Sequence, residues 1–258
     1  MKNESQPQYS VVIPTYNEAS KKDDMKNHLN SIRKYFENKK LSYEIVIALD
    51  GPTDETVSLV RKHSRDNKNV RVLNRKVNHG KGYTLREGLL AAKGKRRMFT
   101  DMDGATRIEM LDRLIPEMDK GADLAIGSRD MDESEIKKHQ FFLKEWLGDA
   151  GNLMIQFVGG LWGIKDTQCG FKLFTEEFIK DVMPRTLVNR WGIDFEILII
   201  GKKLGYTMAQ APVEWDDKGE SLVGIAGYFM TLRDLFKTRW NVIRGAYKLN
   251  KKIENIKK

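Results

Sequence analysis

RRMFTDMDGATRIEM, residues 96 to 110, is the stretch on which the reading of this chain turns. An apolar run ends in two carboxylates one residue apart, Asp101 and Asp103, with a glycine directly after them. Taken as a strand, positions i and i+2 point the same way, so both acids fall on one face. Like charges held side by side repel, a cost that a nearby cation removes. The alternative is a solvated acidic turn. The segments on either side decide between the two.

Before this stretch the chain alternates strand-like and helix-like segments. YSVVIPTY (9–16) reads as a buried strand, and Met25, Leu29, Ile32 and Phe36 follow at helical spacing. YEIVIALD (43–50) is a second strand, and residues 53 to 66 a helix with Thr53 as its N-cap. VRVLNR (70–75) is a third strand, followed after NHGKG by a helix from Tyr83 to Lys93. RRMFTDMD is the fourth strand, 107 to 120 a helix, and DLAIGSR (123–129) a fifth strand. Repeated βα units predict an α/β fold with a mostly parallel sheet flanked by helices. Ligands of such sheets sit at the carboxyl ends of the strands. Tyr16, Asn17, Glu18, Asp50, Asp101 and Asp103 all fall there, which favours a shared crevice over a chance acidic turn.

Composition narrows the function classes. One cysteine, Cys169, excludes an internal disulfide framework and suits a reducing compartment. The N-terminus lacks the apolar stretch of a signal peptide. The longest apolar stretch, LMIQFVGGLWGI (153–164), falls short of the ~20 residues a spanning helix needs, so no membrane crossing is expected. The net charge is +9, of which residues 233 to 258, with nine basic and two acidic side chains, carry +7. Such an end suits an anionic surface, nucleic acid or plain solubility. No G-x-G-x-x-G follows the first strand and no P-loop motif occurs. Carboxylates without a zinc-type His/Cys spacing point to Mg²⁺ or Mn²⁺, which take hard oxygen ligands and bridge to phosphates.

VVIPTYNEA, ALDGPTDET, NHGKGYTLREGLLAAKG, DMDGAT, IGSR, DTQCGFKLF, RWGIDFEIL and APVEW occur in that order. In this the chain resembles the family 2 inverting glycosyltransferases of GT-A fold. Within them it is most similar to the dolichyl-phosphate β-glucosyltransferases, with the dolichyl-phosphate mannosyltransferases nearby. The resemblance spans roughly residues 9 to 250. It implies one GT-A domain over residues 1–250, with a nucleotide-sugar half (9–130), an acceptor half (131–250) and a basic tail (251–258). It also implies site residues. Pro14, Tyr16, Glu18 and Asp50 would hold the nucleoside, and Lys81 would add charge beside the diphosphate. Asp101 and Asp103 would bind Mg²⁺ or Mn²⁺ on the diphosphate, as the family's D-x-D motif does. Gln168 would shape the sugar pocket, and Arg129 would face the acceptor phosphate. Asp194 is a candidate base or sugar contact, or simply a carboxylate favoured at a helix N-terminus.

The implied acceptor is a polyprenyl phosphate, mostly dianionic at neutral pH and in no need of a strong base. Such an enzyme would work peripherally on the cytoplasmic face of a membrane, with no nucleic acid partner. Two amphipathic segments suit that setting. Trp146, Leu147, Ala150, Met154, Phe157, Val158 and Leu161 form one stripe, and Ile225, Phe229, Leu232, Phe236, Trp240, Ile243 and Tyr247 the other. Each is either a core-facing helix or one lying in a lipid interface, and the basic charge around the second favours the interface. Three departures from the family pattern stand out. Leu49 replaces an acidic residue, KKHQFFLKEW (137–146) offers Lys138, His139 or Lys144 where an arginine is expected, and DDKGESLV (216–223) offers Lys218 beside Glu220 in place of a G-S-K-L loop. GDP-mannose as donor, a hydroxyl acceptor, and a non-catalytic membrane- or RNA-binding protein of this fold are the competing readings.

Overall fold

Near-continuous apolar runs form the inner strands of a single sheet. The computed structural model describes residues 6–65, 67–131, 134–136, 142–216 and 225–249, without the side chains of 135, 136, 142–149, 225, 226 and 228. Its strands are β1 (Tyr9–Thr15), β2 (Tyr43–Asp50), β3 (Val70–Arg75), β4 (Arg96–Phe99), β5 (Leu124–Ser128), β6 (Glu135–Ile136), β7 (Lys172–Thr175), β8 (Met208–Pro212) and β9 (Glu214–Trp215). Seven of them form one sheet in the order β3-β2-β1-β4-β7-β5-β8, and β6 pairs with β9. All pairings in the large sheet are parallel except those of β7 with its two neighbours. The α/β class and the mostly parallel sheet are thus as the sequence predicts.

The helices are α1 (Lys22–Asn38), α2 (Thr56–Arg65), α3 (Lys81–Ala91), α4 (Leu111–Asp119), α5 (Phe142–Gly159), α6 (Glu176–Val182), α7 (Ile193–Lys203) and α8 (Ile225–Ile243). Strand residues alternate between two cores. Val11, Ile13, Ile45 and Ile47 meet α1 and α4 on one face through Leu29, Ile32, Phe36, Leu111 and Leu114. Val12 and Val46 meet α3, α6 and α7 on the other through Leu85, Leu89, Phe178, Ile197 and Ile200. Three layers follow directly from that period of two.

Four expectations are corrected. β4 stops at Phe99, so Asp101 and Asp103 lie in the turn beyond it and not on a strand face. α2 starts at Thr56, where the Asp54 carboxylate accepts the Thr56 N–H (3.0 Å), while Thr53 is bonded to Asn17 instead. α3 runs from Lys81 to Ala91, two residues earlier than read at both ends. Tyr247 lies beyond α8 and is buried, so it does not share the exposed stripe of that helix.

That stripe faces outward. Phe229 (70% exposed), Phe236 (57%), Trp240 (61%) and Ile243 (64%) lie toward solvent, while Asp234, Thr238 and Asn241 on the opposite face are buried. α8 packs on α5 and α7. From α5 and the turn after it, Leu153, Met154, Phe157 and Trp162 are also exposed, with Phe157 and Trp162 in edge-to-face ring contact at 5.7 Å. Of the first stripe, Leu161 is buried instead. No helix among the described residues is long and apolar enough to cross a membrane.

Candidate active site

The chain leaves β1 for β2 on one side and returns to β4 on the other, so the topological switch lies between β1 and β4. Pro14 sits there. Even-numbered residues of β1 face β4, as the bond from Thr100 N to Val12 O shows (3.2 Å), but the β1–β4 pairing ends at Val12 and Phe99. The N–H that proline lacks therefore has no partner to lose. β7 is antiparallel, so its first residue, Lys172, opens at the same sheet edge where β4 and β5 end.

The loops at this edge are locked to one another. Asn17, left-handed at φ 50, accepts the Thr53 N–H at 2.8 Å. Glu18 N donates to Thr56 Oγ1 at 2.7 Å and Ala19 N to Asp54 Oδ2 at 3.0 Å. Tyr16 is exposed beside them. Asp50 is buried, and its two carboxylate oxygens accept the N–H groups of His79 (2.9 Å) and Gly80 (2.8 Å). Its placement makes it the anchor of the HGKG loop. That anchor fixes the start of α3 and hence Lys81, whose ammonium reaches Asp101 Oδ1 at 2.7 Å.

The carboxylate turn is tight because Gly104 is left-handed at φ 64 and packs on His28. Asp103 Oδ1 accepts the Ala105 N–H at 3.0 Å. Burial, then the charge of Asp101, raise the Asp103 carboxyl above the ordinary range. Burial also raises Glu18; Lys21 opposes this, and Asp103 and Asp101 add to it. Burial alone would lower Lys81, but Asp101, Asp194 and Asp103 outweigh it and hold the ammonium above the usual lysine range. With Asp194 paired to Lys172, Asp101, Asp103 and Glu18 face Lys81 and Lys21 here, so the acids outnumber the lysines. Among the described residues no group of three or more His, Cys, Asp or Glu forms a metal cage. Two carboxylates completed by phosphate oxygens remain a suitable set for Mg²⁺ or Mn²⁺.

A second pair of acids lies across the edge. The Arg129 guanidinium grips Asp166 through Nε–Oδ2 (2.7 Å) and Nη2–Oδ1 (3.1 Å), over the Trp215 ring at 5.4 Å. The backbone N–H groups of Gln168 and Cys169 also bond Asp166 Oδ1. Burial opposes the ionised form of Asp166, but Arg129 overrides it and holds the carboxyl below the ordinary range. The Cys169 thiol is pushed up to about 12 by burial, which leaves it inert as a nucleophile. Asp194, on the first turn of α7, bonds the fully buried Lys172 ammonium at 2.5 Å. Lys172 also donates to Cys169 O at 2.5 Å. The Phe99 ring lies 5.0 Å from Lys81 Nζ and 6.0 Å from Lys172 Nζ.

The structure thus gathers Pro14, Tyr16, Glu18, Asp50, Lys81, Asp101, Asp103, Arg129, Gln168 and Asp194 around one edge. Lys138, His139, Lys218, Glu220 and the tail 251–258 lie outside the described residues, as does the side chain of Lys144. Sequence reasoning missed Lys172 and Gly170. A lysine opening an apolar strand, in GFKLF, is the signal for the first. For Gly170 the signal is spatial, since a Cβ there would overlap Asp101 Oδ2. We expect Gly170→Ala to push the Asp101 carboxylate off Lys81, with a cost of about 1–3 kcal/mol from overpacking. Steady-state turnover should then fall about 10²-fold, as small misplacements at a reacting centre do.

Solved structures share this architecture. Glucosyl-3-phosphoglycerate synthase from Mycobacterium tuberculosis, solved with Mn²⁺, UDP and phosphoglyceric acid, aligns with a TM-score of 0.64 at 18% identity, over 90% of this chain and 77% of that one. Mannosyltransferase PcManGT from Pyrobaculum calidifontis, solved with GDP-Man and Mn²⁺, aligns with a TM-score of 0.60 at 19% identity, over 93% of this chain and 65% of that one. The sheet with its carboxylate turn at the switch point is a GT-A glycosyltransferase fold. The chain belongs to glycosyl transferase family 2, whose model matches residues 10–182, and it is a glycosyltransferase. Dolichyl-phosphate beta-glucosyltransferase ALG5A of Trichomonas vaginalis is 36% identical to it over 249 residues, which cover 93% of this chain and 75% of that one. The dolichyl-phosphate beta-glucosyltransferases of Dictyostelium discoideum (34%; 93% of this chain, 76% of that one) and Homo sapiens (30%; 94% and 78%) are similar over the same extent.

Proposed function

We propose that this glycosyltransferase moves glucose from UDP-glucose to a polyprenyl phosphate of the dolichyl type, with inversion at the anomeric carbon. The relatives' activity supports the sugar and the lipid, and the UDP and Mn²⁺ bound by the M. tuberculosis synthase support the donor and the cation. The observation that carries the lipid acceptor is the outward apolar stripe of α8, with Phe229, Phe236 and Trp240 exposed while Asp234, Thr238 and Asn241 are buried. An apolar surface of that kind needs a nonaqueous neighbour. The enzyme in this reading rests peripherally on the cytoplasmic face of an anionic membrane.

Asp101 and Asp103 would hold Mg²⁺ or Mn²⁺ against the diphosphate. Bound there, such a cation would supply Lewis-acid charge to offset that of the departing nucleoside diphosphate. Lys81, anchored through Asp50 and the HGKG loop, adds fixed positive charge beside it. Pro14, Tyr16 and Glu18 border the nucleoside end, and Gln168 the sugar. An oxygen of the acceptor phosphate attacks the anomeric carbon while the bond to the diphosphate oxygen breaks. A phosphate dianion supplies its own charge, so Asp194 has no proton to remove and serves to balance Lys172. Arg129, fixed by Asp166 and Trp215, faces the incoming phosphate.

Mass spectrometry of the product tests this. With Mn²⁺, UDP-glucose and a short polyprenyl phosphate, the reading requires a polyprenyl-phosphate hexose. Product from GDP-mannose alone would change the donor, and metal-dependent hydrolysis without lipid product would change the acceptor. Salt-sensitive RNA binding without sugar-nucleotide binding would end the enzymatic account of this site. For the membrane, the double variant Phe236→Ser/Trp240→Ser should bind anionic vesicles at least about tenfold more weakly, because each buried aromatic contributes about 1.5–3 kcal/mol. Its melting temperature should not fall, since both side chains face solvent. Vesicle flotation and thermal unfolding check the two halves of that expectation.

A further inference from the structure

Residues 185 to 191 run as a strap between the HGKG loop and the turn that follows α8. On one side the strap is joined to α3. Tyr83 N donates to Asn189 O at 3.1 Å, and the Arg86 guanidinium reaches Thr186 O (2.8 Å), Thr186 Oγ1 (3.1 Å) and Asn189 Oδ1 (2.8 Å). The two backbones touch. A Cβ on Gly80 would overlap Asn189 O, and one on Gly82 would stand 2.7 Å from Val188 O. Lys81 lies between these two glycines, with the Trp191 ring 5.6 Å from its ammonium. No substitution of either glycine leaves that contact intact.

On the other side the strap is held by the C-terminal segment. Glu196 of α7 is fully buried, and its carboxylate accepts the N–H groups of Leu187 and Val188, both at 2.9 Å. The Tyr247 hydroxyl donates to Glu196 Oε1 at 2.7 Å. The Arg185 guanidinium donates to Tyr247 O (3.2 Å) and Lys248 O (2.7 Å). Burying a carboxylate is costly unless its oxygens are bonded, and here they are bonded to the strap and to the turn behind α8. The same carboxylate therefore ties the end of the outward-facing apolar helix to the segment that touches Lys81.

We infer that Tyr247 and Glu196 are positioning residues for the donor site: acting through the strap, they set the HGKG loop and Lys81 against Asp101. The inference rests on the reading of that site as the seat of the donor diphosphate. Neither residue touches substrate in it. Tyr247→Phe keeps the ring and removes only the hydroxyl that orients Glu196.

The test is a calorimetric titration of UDP, with Mn²⁺ present, into the full-length wild type and Tyr247→Phe, giving affinity and stoichiometry separately. A loss of UDP affinity of about fivefold or more, the lower range of coupling between linked sites, is expected at unchanged stoichiometry, with the KM for polyprenyl phosphate unmoved. A purely structural role would lower the stoichiometry or the melting temperature and leave the affinity of the folded fraction as it was. Unchanged affinity in Tyr247→Phe overturns the inference while the donor site stands. No UDP binding by the wild type overturns the site reading and the inference together. Arg86→Lys, which loosens the strap from the α3 side, is the second variant and should give the same affinity loss.

Discussion

Asp103→Asn is expected to cut turnover by about 10²–10³-fold, as removal of one preorganised electrostatic group does, while leaving the protein at least as stable as the wild type. The two halves of this result have one cause. In the wild type the Asp103 carboxyl is raised by burial and by the neighbouring charge of Asp101, so its ionised form is held at a cost to folding. An amide removes that cost. Its carbonyl oxygen can still accept the Ala105 N–H that shapes the turn, so the backbone has no reason to move. In the proposed mechanism activity is lost because the amide cannot supply the negative charge that would hold a cation on the diphosphate. Coupled-enzyme turnover together with thermal unfolding measures both. A variant that loses activity and melts lower would make Asp103 a structural turn residue instead.

Lys172→Met should have the largest effect on stability. Lys172 is fully buried and Asp194 nearly so, and the methionine leaves the carboxylate in place without its partner. Breaking a buried pair from one side costs about 3–5 kcal/mol. For a chain of this size that lowers the melting temperature by roughly 10 °C. Asp194→Asn should cost less, because its amide oxygen still accepts from the ammonium. Lys172→Met/Asp194→Asn should recover part of the loss, and that non-additivity identifies the pair. Turnover separates the acceptor classes. With a phosphate acceptor Asp194→Asn keeps most of its activity, whereas a hydroxyl acceptor would need Asp194 as base and would lose nearly all of it.

How much of this was legible in the sequence follows from which forces are local. β2 and β3 coincide with their predicted ranges, because an apolar run bounded by turn residues has little choice of state. β4 was read four residues too long, since nothing in RRMFTDMD shows where pairing with β1 ends. That ending depends on register and on Pro14, both tertiary facts. The convergence of Tyr16, Glu18, Asp50, Asp101 and Asp103 was legible from one rule about parallel sheets. The partners of Asp50, Arg129 and Asp194 were not, because His79, Asp166 and Lys172 lie 22 or more residues away from them. The outward polarity of α8 was half legible. Its periodicity gave the stripe, and only the burial of Asp234, Thr238 and Asn241 decides which side faces the protein.

The central claim is that the carboxylate turn after β4 holds a cation on a nucleoside diphosphate, and the direct measurement is a crystal structure with UDP and Mn²⁺ in which the metal is located by anomalous scattering. The account predicts a manganese peak bonded to a carboxylate oxygen of Asp101 or Asp103, at about 2.1 Å or through one water, and to the diphosphate, with Lys81 alongside. UDP bound elsewhere, or bound at this edge with no metal at the turn, would contradict it.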